Sequence, residues 1–431
     1  MKNILTLITV FLLVSNFPFQ GLAQDGSIDP SFFVENELPM PDLATVLVRI
    51  EQMIVQPDDK ILIAGNFYLI GDVPRGNVAR LNPDGTLDLS FNLNVPSTEQ
   101  GRRFPDALAL QADGKILVSQ NLLRPNDWND VLERLNPDGS IDPSFDIGTG
   151  PNPGTVFSLI KPLSNGKIII YSSSLSIFNG VPVNRTICLN NDGSLDESFN
   201  AAGVEGVRQI IEQADGKLIL VGNYTPPGQT QRYNVFRLNA DGSIDNSFLP
   251  ESFSGVTGTL LTIAQQSDGK IIIGGRSTNY NGVPISQPFR IHPDGRLDEN
   301  FNLSSPFRPL IEIKVSKDDK ILVFGTKEGI TTLQRLNSDG SMDDAFEVPR
   351  TLSFRDIACQ SNGKILVSGI LNGFLGLPLP NPGFGTGTYG IARLNNTVLR
   401  PEGLPNLSHL NKLLLGILLL ACCLFTFRLV R

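Results

Sequence analysis

The stretch that decides the fold is residues 80–92, which read RLNPDGTLDLSFN. Copies of this stretch, here called the turn element, occur at 134–145, 188–200, 237–248, 290–302 and 335–346. In each copy an Asp-Gly pair separates two apolar runs, and both residues tolerate the positive φ that tight hairpin turns require. Each copy therefore predicts a short strand, a hairpin turn and a second short strand.

A second repeated element has its clearest copy at residues 111–118, which read QADGKILV. An Asp-Gly turn followed by β-branched and apolar residues predicts another hairpin. This lysine element occurs seven times at spacings of 44 to 55 residues, and its lysines are Lys60, Lys115, Lys167, Lys217, Lys270, Lys320 and Lys364. Together the two elements predict four antiparallel strands in each of seven units, which is the pattern of β-propeller blades.

The two ends of the repeat region complement each other. Residues 24–32 read QDGSIDPSF, the back half of a turn element, and residues 391–396 read IARLNN, its front half. Joined in space they complete a seventh copy, which is how closed propellers avoid open strand edges. The sequence therefore predicts an all-β fold, a closed seven-bladed β-propeller with four antiparallel strands per blade over residues 24–397. An open solenoid, which would need polar capping repeats, is the alternative.

The two elements resemble the delta-60 repeat family, which consists of bacterial exported repeats interpreted as β-propellers. The resemblance covers residues 24–396, nearly the whole chain after the leader. It implies the fold and export, and it adds little about function because the family has no established biochemical role. The copies at Leu163-Ser164 and Asp318-Asp319 depart from the family pattern, so we expect those two blades to be less regular.

Both ends of the chain have the composition of targeting segments. Residues 1–23 contain Lys2, an apolar run and a final Gly-Leu-Ala, which predicts a secretory signal peptide cut by signal peptidase after Ala23. Residues 398–409 predict a linker, and residues 410–431 predict a hydrophobic helix with a basic end. The uncharged run at 413–427 would span only about 22 Å as a helix, less than the ~30 Å bilayer core.

The C-terminal tail resembles bacterial sorting signals of the Ile-Pro-Thr-Leu type and their Pro-Glu-Pro relatives. Residues 404–408, which read LPNLS, lie where the motif belongs, although two of its first four positions differ from the pattern. The resemblance implies processing by an exosortase-like enzyme, and a permanent membrane anchor is the alternative. Either interpretation places the protein in the cell envelope, at the cell surface or outside the cell, with the tail in the membrane before any processing.

Composition excludes several classes of function. The net charge of −8 and the sequence pI near 5.0 argue against nucleic acid, which requires a clustered basic surface. The only histidines are His292 and His409, which argues against a histidine zinc site or a histidine general base. Cys188 and Cys359 lie at different repeat positions, so we expect no disulfide between them. No cofactor is predicted.

The polar residues of the turn element have structural and functional interpretations. Asn82, Asp84 and Asp88 have the spacing of a weak calcium site, because hard cations prefer clustered oxygen ligands. The alternative is that these residues form the turn and an ion pair. We expect the element's arginines to pair with carboxylates between blades, except where Cys188 replaces one, and the recurring lysines to be solvated charges at strand edges.

Function is expected in the irregular loops between repeat elements. Their aromatic residues are candidates for contact with a sugar or a protein, with packing against neighbouring blades as the alternative, and they are Trp128, Tyr224, Tyr233, Phe374, Phe384 and Tyr389. The expected function is a non-enzymatic scaffold that binds a protein or glycan, with no catalytic residues. The alternatives are a secreted glycan-active enzyme with inward carboxylates and a structural component of the extracellular matrix. The repeat pattern singles out no acidic residue.

Overall fold

Antiparallel β-strands form the secondary structure throughout the part of the chain that the structure describes. This structure is a computed structural model. It describes residues 25–396 except 30, 33–48, 68, 71–72, 94–104, 106, 120–131, 231, 249–258, 302, 304–306, 308, 328–329, 349–351 and 372–388. The chain divides into two units, Met1–Asn396 and Thr397–Arg431, and the second lies wholly outside the described residues.

The strands follow the two repeated elements along the chain. In chain order they are β1 (Arg49–Val55), β2 (Ile61–Asn66), β3 (Leu69–Ile70), β4 (Val73–Pro74), β5 (Val78–Leu81), β6 (Leu108–Leu110), β7 (Ile116–Ser119), β8 (Leu132–Leu135), β9 (Leu159–Pro162), β10 (Ile168–Tyr171), β11 (Ile177–Phe178), β12 (Val181–Pro182), β13 (Thr186–Leu189), β14 (Val204–Glu212), β15 (Leu218–Tyr224), β16 (Tyr233–Leu238), β17 (Leu260–Gln265), β18 (Ile271–Gly275), β19 (Asn279–Tyr280), β20 (Val283–Pro284), β21 (Phe289–Ile291), β22 (Leu310–Val315), β23 (Ile321–Lys327), β24 (Ile330–Leu336), β25 (Leu352–Cys359), β26 (Ile365–Leu371) and β27 (Tyr389–Leu394).

These strands form three-stranded antiparallel sheets, numbered one to seven along the chain. Their strand orders are β1-β2-β5, β6-β7-β8, β9-β10-β13, β14-β15-β16, β17-β18-β21, β22-β23-β24 and β25-β26-β27. Each lysine element supplies the first hairpin of a sheet, and each turn element begins with its third strand. Two-stranded hairpins, β3-β4, β11-β12 and β19-β20, lie between the second and third strands of sheets one, three and five.

Each middle strand is buried on both faces, because its side chains alternate between the two neighbouring sheets. Ile61 packs in a cluster formed by sheets seven and one, whereas Leu62 packs in a cluster formed by sheets one and two. The same alternation sends Ile168 toward sheet two and Ile169 toward sheet four. Burying one such side chain contributes about 1.5–3 kcal/mol, so a sheet without neighbours would lose most of its stabilisation.

The outermost strand of each sheet is shorter than predicted. In sheets one to six it is reduced to a single bridge. This bridge joins the third strand to the residue three positions after the Asp of the Asp-Gly turn, as between Leu81 and Leu87. Sheet seven receives the corresponding bridge from the other end of the chain, between Ile28 and Leu394. The amide of Asn395 donates to the Ser27 carbonyl at 2.7 Å, and that of Gly26 donates to the Asn395 carbonyl at 2.8 Å. The two half elements at the chain ends therefore meet.

A buried carboxylate organises the turn element of every sheet. In sheet one Asp88 accepts hydrogen bonds from Arg80 Nε at 2.7 Å and from Lys60 Nζ at 2.9 Å. The guanidinium of Arg80 lies over the Phe91 ring at 4.9 Å and donates from NH1 to the Pro137 carbonyl of sheet two at 2.5 Å. This arrangement, here called the Arg–Asp–Lys node, joins both hairpins of one sheet and contacts the next sheet.

The node recurs in the remaining sheets with one substitution. Its members are Arg134, Asp142 and Lys115 in sheet two, Arg237, Asp245 and Lys217 in sheet four, Arg290, Asp298 and Lys270 in sheet five, Arg335, Asp343 and Lys320 in sheet six, and Arg393, Asp29 and Lys364 in sheet seven. In sheet three Asp196 pairs with Lys167 at 2.6 Å, and Cys188 replaces the arginine as expected. Burial raises the pKa of the Cys188 thiol to about 12.

Two expectations about these charges were wrong. The arginines pair mainly with the carboxylate of their own sheet and reach the next sheet through its backbone carbonyls, because the Asp lies only eight residues beyond the Arg. One ion pair, between Arg335 and Asp25 at 2.7 Å, does join sheet six to the segment that completes sheet seven. The lysines are not free edge charges, since each one reaches the buried Asp of its own sheet.

The departure at Asp318-Asp319 does not make sheet six irregular. Asp319 stands where other lysine elements have Gly, and it adopts a φ of 58°. Its carboxylate accepts from the amide of Ser267 in sheet five at 2.8 Å. Asp59 has the same conformation, with a φ of 63°, and accepts from the amide of Ser361 in sheet seven at 2.6 Å. A contact to the preceding sheet thus accompanies each strained backbone position.

The node predicts how an alanine substitution changes stability. Asp29→Ala and Asp142→Ala each leave a buried Arg and a half-buried Lys without their carboxylate, so each should lower the free energy of unfolding by about 3 kcal/mol. Chemical denaturation followed by circular dichroism measures this loss. The exposed Glu197, changed to Ala, is the control and should have no effect. An Asp29→Ala variant as stable as the unmodified protein would show that segment 25–32 does not stabilise sheet seven.

The node also predicts a pH dependence. Burial alone would raise the pKa of Asp142, but hydrogen bonds from Ser144, Lys115 and Arg134 outweigh it and hold the pKa well below its ordinary value. A depressed folded-state pKa stabilises the fold above the unfolded value near 3.9, and this contribution is lost as the pH falls. We expect the denaturant concentration at the unfolding midpoint to decrease as the pH is lowered from 4 to 2. The decrease should be less steep in Asp142→Asn. Equal slopes would contradict the ionised node.

Candidate functional site

The row of sheets has two ends that differ in which parts of the repeat they carry. The hairpin turns of the lysine and turn elements lie together at one end, here called the turn end, because the first and third strands both run antiparallel to the second. Contacts between turns of neighbouring sheets, such as the Asp146 amide with the Asp192 carbonyl at 2.8 Å, show that the sheets share this orientation. First strands begin at the opposite end, here called the entry end.

The turn end repeats one chemistry. Asp84 Oδ1 accepts from the amide and the hydroxyl of Thr86 at 3.0 and 2.7 Å, and Asn82 Nδ2 donates to the same hydroxyl at 2.9 Å. Asp88 belongs to the node, so the three calcium candidates all make turn or ion-pair contacts. Among the residues that the structure describes, no group of three or more His, Cys, Asp or Glu is arranged to hold a metal ion. The calcium site stays a prediction.

The loop aromatics have different outcomes. Tyr224 lies in β15 and is buried, with its ring centroid 5.9 Å from that of Tyr233 and 5.6 Å from that of Phe236. Its surface therefore belongs to the core between sheets three and four, which corresponds to the packing alternative. Tyr389 lies in β27. Trp128, Phe374, Phe384 and the side chain of Tyr389 lie outside the described residues, as does the predicted cleavage site at Ala23.

The two-stranded hairpins β11-β12 and β19-β20 each place an aromatic side chain in the core between two neighbouring sheets. Phe178 of β11 and Tyr280 of β19 are buried in the cores between sheets two and three and between sheets four and five. The Tyr280 hydroxyl donates to the Gly295 carbonyl in the turn element of its own sheet at 2.6 Å. The other strand of each hairpin is exposed, with Val181 at 50 % and Val283 at 42 %. Each of these two hairpins therefore has one side chain buried between sheets and an exposed valine on its other strand.

The first strands differ from sheet to sheet at one position that the sequence did not reveal. This position, here called the inner position, lies eight residues before the lysine of each lysine element. It is occupied by Gln52, Ala107, Leu159, Gln209, Thr262, Glu312 and Asp356. In sheets one, four, five and seven this side chain accepts a hydrogen bond from the amide one residue further along the next first strand, whereas Glu312 of sheet six pairs with Lys314. Gln52 Oε1 accepts from Leu108 at 2.8 Å, and Thr262 Oγ1 accepts from Ile313 at 3.0 Å.

Asp356 is the unusual member of this set. Its Oδ2 accepts from the Met53 amide at 2.6 Å and its Oδ1 accepts from the Ile357 amide at 2.8 Å. Burial raises the pKa of Asp356 to about 6, with nearby Lys314 opposing the rise and Glu312 adding to it. The repeat pattern does not single out this carboxyl, because the inner position varies between sheets and also holds Glu312 in sheet six. Its raised pKa follows from burial in the folded chain.

Two first strands carry a lysine two residues after the inner position, and the pKa of each lysine depends on the carboxylates near it. Lys314 Nζ lies 3.0 Å from Glu312 Oε1, and although burial would lower its pKa, Glu312 and Asp356 raise it. Lys161 occupies the same position in sheet three, where burial lowers its pKa and Glu212 only partly opposes the effect. The inner strands of sheets six and seven thus hold a charge cluster of Glu312, Lys314 and Asp356.

A β-bulge precedes the inner position in sheets one, four, five, six and seven. The bulge leaves one residue unpaired in sheets one, five, six and seven and the three residues 206–208 unpaired in sheet four. The residue immediately before the inner position is Glu51, Arg208, Leu261, Ile311 or Arg355 in these five sheets. Bulges redirect side chains out of the regular alternation. Arg208, Ile311 and Arg355 are exposed, and Arg355 Nε pairs with Glu51 Oε2 at 2.5 Å.

Five segments of the chain match the family described as "Domain of unknown function (DUF5122) beta-propeller", at residues 56–91, 129–145, 163–199, 213–248 and 266–301. Each matched segment contains strands of one of the first five sheets. The chain carries a β-propeller repeat of unknown function. No curated protein sequence matches the chain. The repeats therefore support the propeller fold without assigning an activity.

Three solved structures are similar to this propeller chain. A streptogramin B lyase is 15 % identical, with a TM-score of 0.47, and the match covers 82 % of this chain and 95 % of the lyase. The extracellular domain of a putative one component system from B. thetaiotaomicron is 10 % identical, with a TM-score of 0.47 and coverage of 82 % and 40 %. PorZ, a surface component of the type-IX secretion system of Porphyromonas gingivalis, is 14 % identical, with a TM-score of 0.41 and coverage of 74 % and 45 %.

The raised pKa of Asp356 gives a prediction opposite in sign to that of the nodes. A folded-state pKa near 6, above the unfolded value near 3.9, means that stability is lost as the pH rises through 6. Asp356→Asn keeps an acceptor for the Met53 amide and removes the charge. The variant should be more stable than the unmodified protein at pH 7.5 and equally stable at pH 4.

Thermal unfolding across this pH range tests the effect. Glu197→Ala, which changes the net charge equally at an exposed site, is the control. An Asp356→Asn variant that is destabilised at pH 7.5 would show that the ionised carboxylate stabilises the fold.

Proposed function

We propose that this protein is an exported, non-enzymatic binding scaffold, a closed seven-bladed β-propeller that holds a protein or glycan partner at its entry end. The observation that carries the proposal is the contrast between the two ends. The turn end repeats the same Arg, Asp and Lys chemistry, all of it engaged within and between sheets. The entry end carries side chains of varied chemistry, with acidic, basic and aliphatic residues at equivalent positions of the first strands, which repetition of a structural role does not require.

Closure is supported by contacts between sheets seven and one that repeat those between other neighbours. Asp356 binds the Met53 amide as Thr262 binds the Ile313 amide. Ser361 binds Asp59 as Ser267 binds Asp319. Arg393 NH1 donates to the Pro83 carbonyl at 2.6 Å, as Arg80 NH1 donates to the Pro137 carbonyl. Sheets seven and one also share an apolar cluster, so every sheet buries both faces.

Export is supported by the sequence at both ends of the chain. Residues 1–23 have the charged start, apolar run and small-residue end of a leader that signal peptidase removes after Ala23. Residues 410–431 supply a hydrophobic helix for the membrane, held there or released by an exosortase-like enzyme acting near 404–408. In the described part of the chain no helix is long and apolar enough to cross a membrane. The proposed location is the cell envelope or surface.

A second candidate function is a glycan-active enzyme, and the charge cluster favours it. Asp356 has a pKa raised toward neutrality, as general acids of glycosidases have, and Glu312 lies on the neighbouring first strand. The hydrogen bond from the Met53 amide to Asp356 joins sheet seven to sheet one, and this structural contact favours the scaffold. Turnover of a polysaccharide that is abolished in Asp356→Asn, while the variant stays folded, would establish the enzyme instead.

Photo-crosslinking in cells tests the binding end. A photo-reactive residue replaces Ser158 or Ile311 at the entry end, or the exposed Asp138 or Asp192 at the turn end as matched controls. The entry-end positions should form adducts of higher mass that the turn-end positions lack, because the proposed partner covers only the entry end. Sensitivity of the adduct to protease or to periodate separates a protein from a glycan. Adducts at the turn end alone, or at neither end, would overturn the proposal.

A further inference from the structure

The bulge residues of consecutive sheets form an arc at the entry end. Along sheets four to seven and on to sheet one they are Arg208, Leu261, Ile311, Arg355 and Glu51. The first strands that carry them contact one another in this order, β14 with β17, β17 with β22, β22 with β25 and β25 with β1. The arc therefore presents two adjacent aliphatic side chains with a guanidinium on either side.

The aliphatic part of the arc is exposed where apolar side chains are usually buried. Ile311 has 40 % of its surface exposed, whereas its neighbours Leu310 and Ile313 on the same strand are buried in the core between sheets five and six. The register shift between Leu310 and Glu312 causes the difference, because it takes Ile311 out of the alternation. The preceding sheet, sheet five, has the aliphatic Leu261 at the same position, and this side chain is half-buried.

The two arginines retain donors for an anion. Arg208 is exposed and makes no ion pair with any residue that the structure describes. A guanidinium has five N–H donors, and the pair between Arg355 and Glu51 uses the one on Nε. The same pair holds the side chain in place, so binding a carboxylate costs less side-chain entropy. Both groups favour carboxylates through bidentate hydrogen bonds.

We propose that this arc binds an extended peptide segment that carries aliphatic and acidic side chains. The inference rests on the proposed scaffold function and narrows its partner to a protein. Aliphatic side chains of the peptide pack on Leu261 and Ile311, and carboxylates bind Arg208 and Arg355. No described sheet places an aromatic residue at this position, and aromatic faces are what sugar rings stack on, so the arc fits a peptide better than a glycan.

Fluorescence anisotropy with the full-length protein in detergent tests the ligand class. The probe is a fluorescein-labelled octapeptide of alternating Leu and Glu, and the controls are the Leu and Lys octapeptide and a labelled oligogalacturonate. The acidic peptide should bind, and its affinity should fall as salt rises, because exposed ion pairs are screened. Preferred binding of the basic peptide or the oligogalacturonate, or no binding of the acidic peptide at millimolar concentration, would overturn the proposal.

Substitutions locate the site. Arg208→Gln removes a charged hydrogen-bond donor and should weaken binding of the acidic peptide about tenfold or more. Ile311→Thr, which keeps a β-branched residue in the strand, should also weaken it. Arg296→Gln, an exposed arginine at the turn end, makes the same charge change and should leave the affinity unaltered. Unchanged melting temperatures show that the variants fold.

The outcomes separate this inference from the scaffold proposal. Affinity that is equal in Arg208→Gln, Ile311→Thr and the unmodified protein would eliminate the arc as the peptide site. Crosslinked adducts at Ser158 that persist in Arg208→Gln cells would then show that the entry end still holds a partner of another kind. Loss of both the adducts and the peptide affinity in Arg208→Gln, with Arg296→Gln normal in both, is the result expected if both proposals hold.

Discussion

The requirement that each sheet bury two apolar faces governs the rest of this structure. The middle strands are runs of β-branched and aliphatic residues with no polar side, as Ile168, Ile169 and Ile170 illustrate. Only a second sheet on each face removes them from water, and a row of sheets leaves one face exposed at either end. Sheets seven and one share an apolar core, with Leu366 of one and Ile61 of the other, which buries a face of each.

The Arg–Asp–Lys node solves a different problem, the position of each sheet relative to the next. Apolar packing is not directional, so it does not fix how far one sheet slides along its neighbour. The node does, because a guanidinium held by its own Asp and stacked on Phe91 has one orientation from which to reach the next turn. Sheet three, with Cys188 in place of the arginine, uses Glu212 and Ser164 for its contact with sheet four, at 2.8 Å.

The two ends of the sheet array differ because one is needed for this positioning and the other is not. Residues at the turn end are occupied by hydrogen bonds that every copy repeats, so substitution there alters stability. The first strands near the entry end vary more, because the residues at and beside the bulge differ in charge and polarity between sheets. Asp356 illustrates this variation, because its pKa is raised by burial while its carboxylate still accepts the hydrogen bond that joins sheet seven to sheet one.

Local patterns such as Asp-Gly turns and the apolar runs after the lysines were enough to predict three strands of each sheet, the hairpin turns and the number of repeats. They also predicted that residues 24–32 and 391–396 belong together. What the repeated charges do could be read only from the folded chain, since the distance between Lys60 and Asp88 depends on how two hairpins pair. The same holds for Tyr224, whose burial follows from a neighbouring sheet, and for Asp356 and the bulge residues, whose roles arise where seven separate first strands meet.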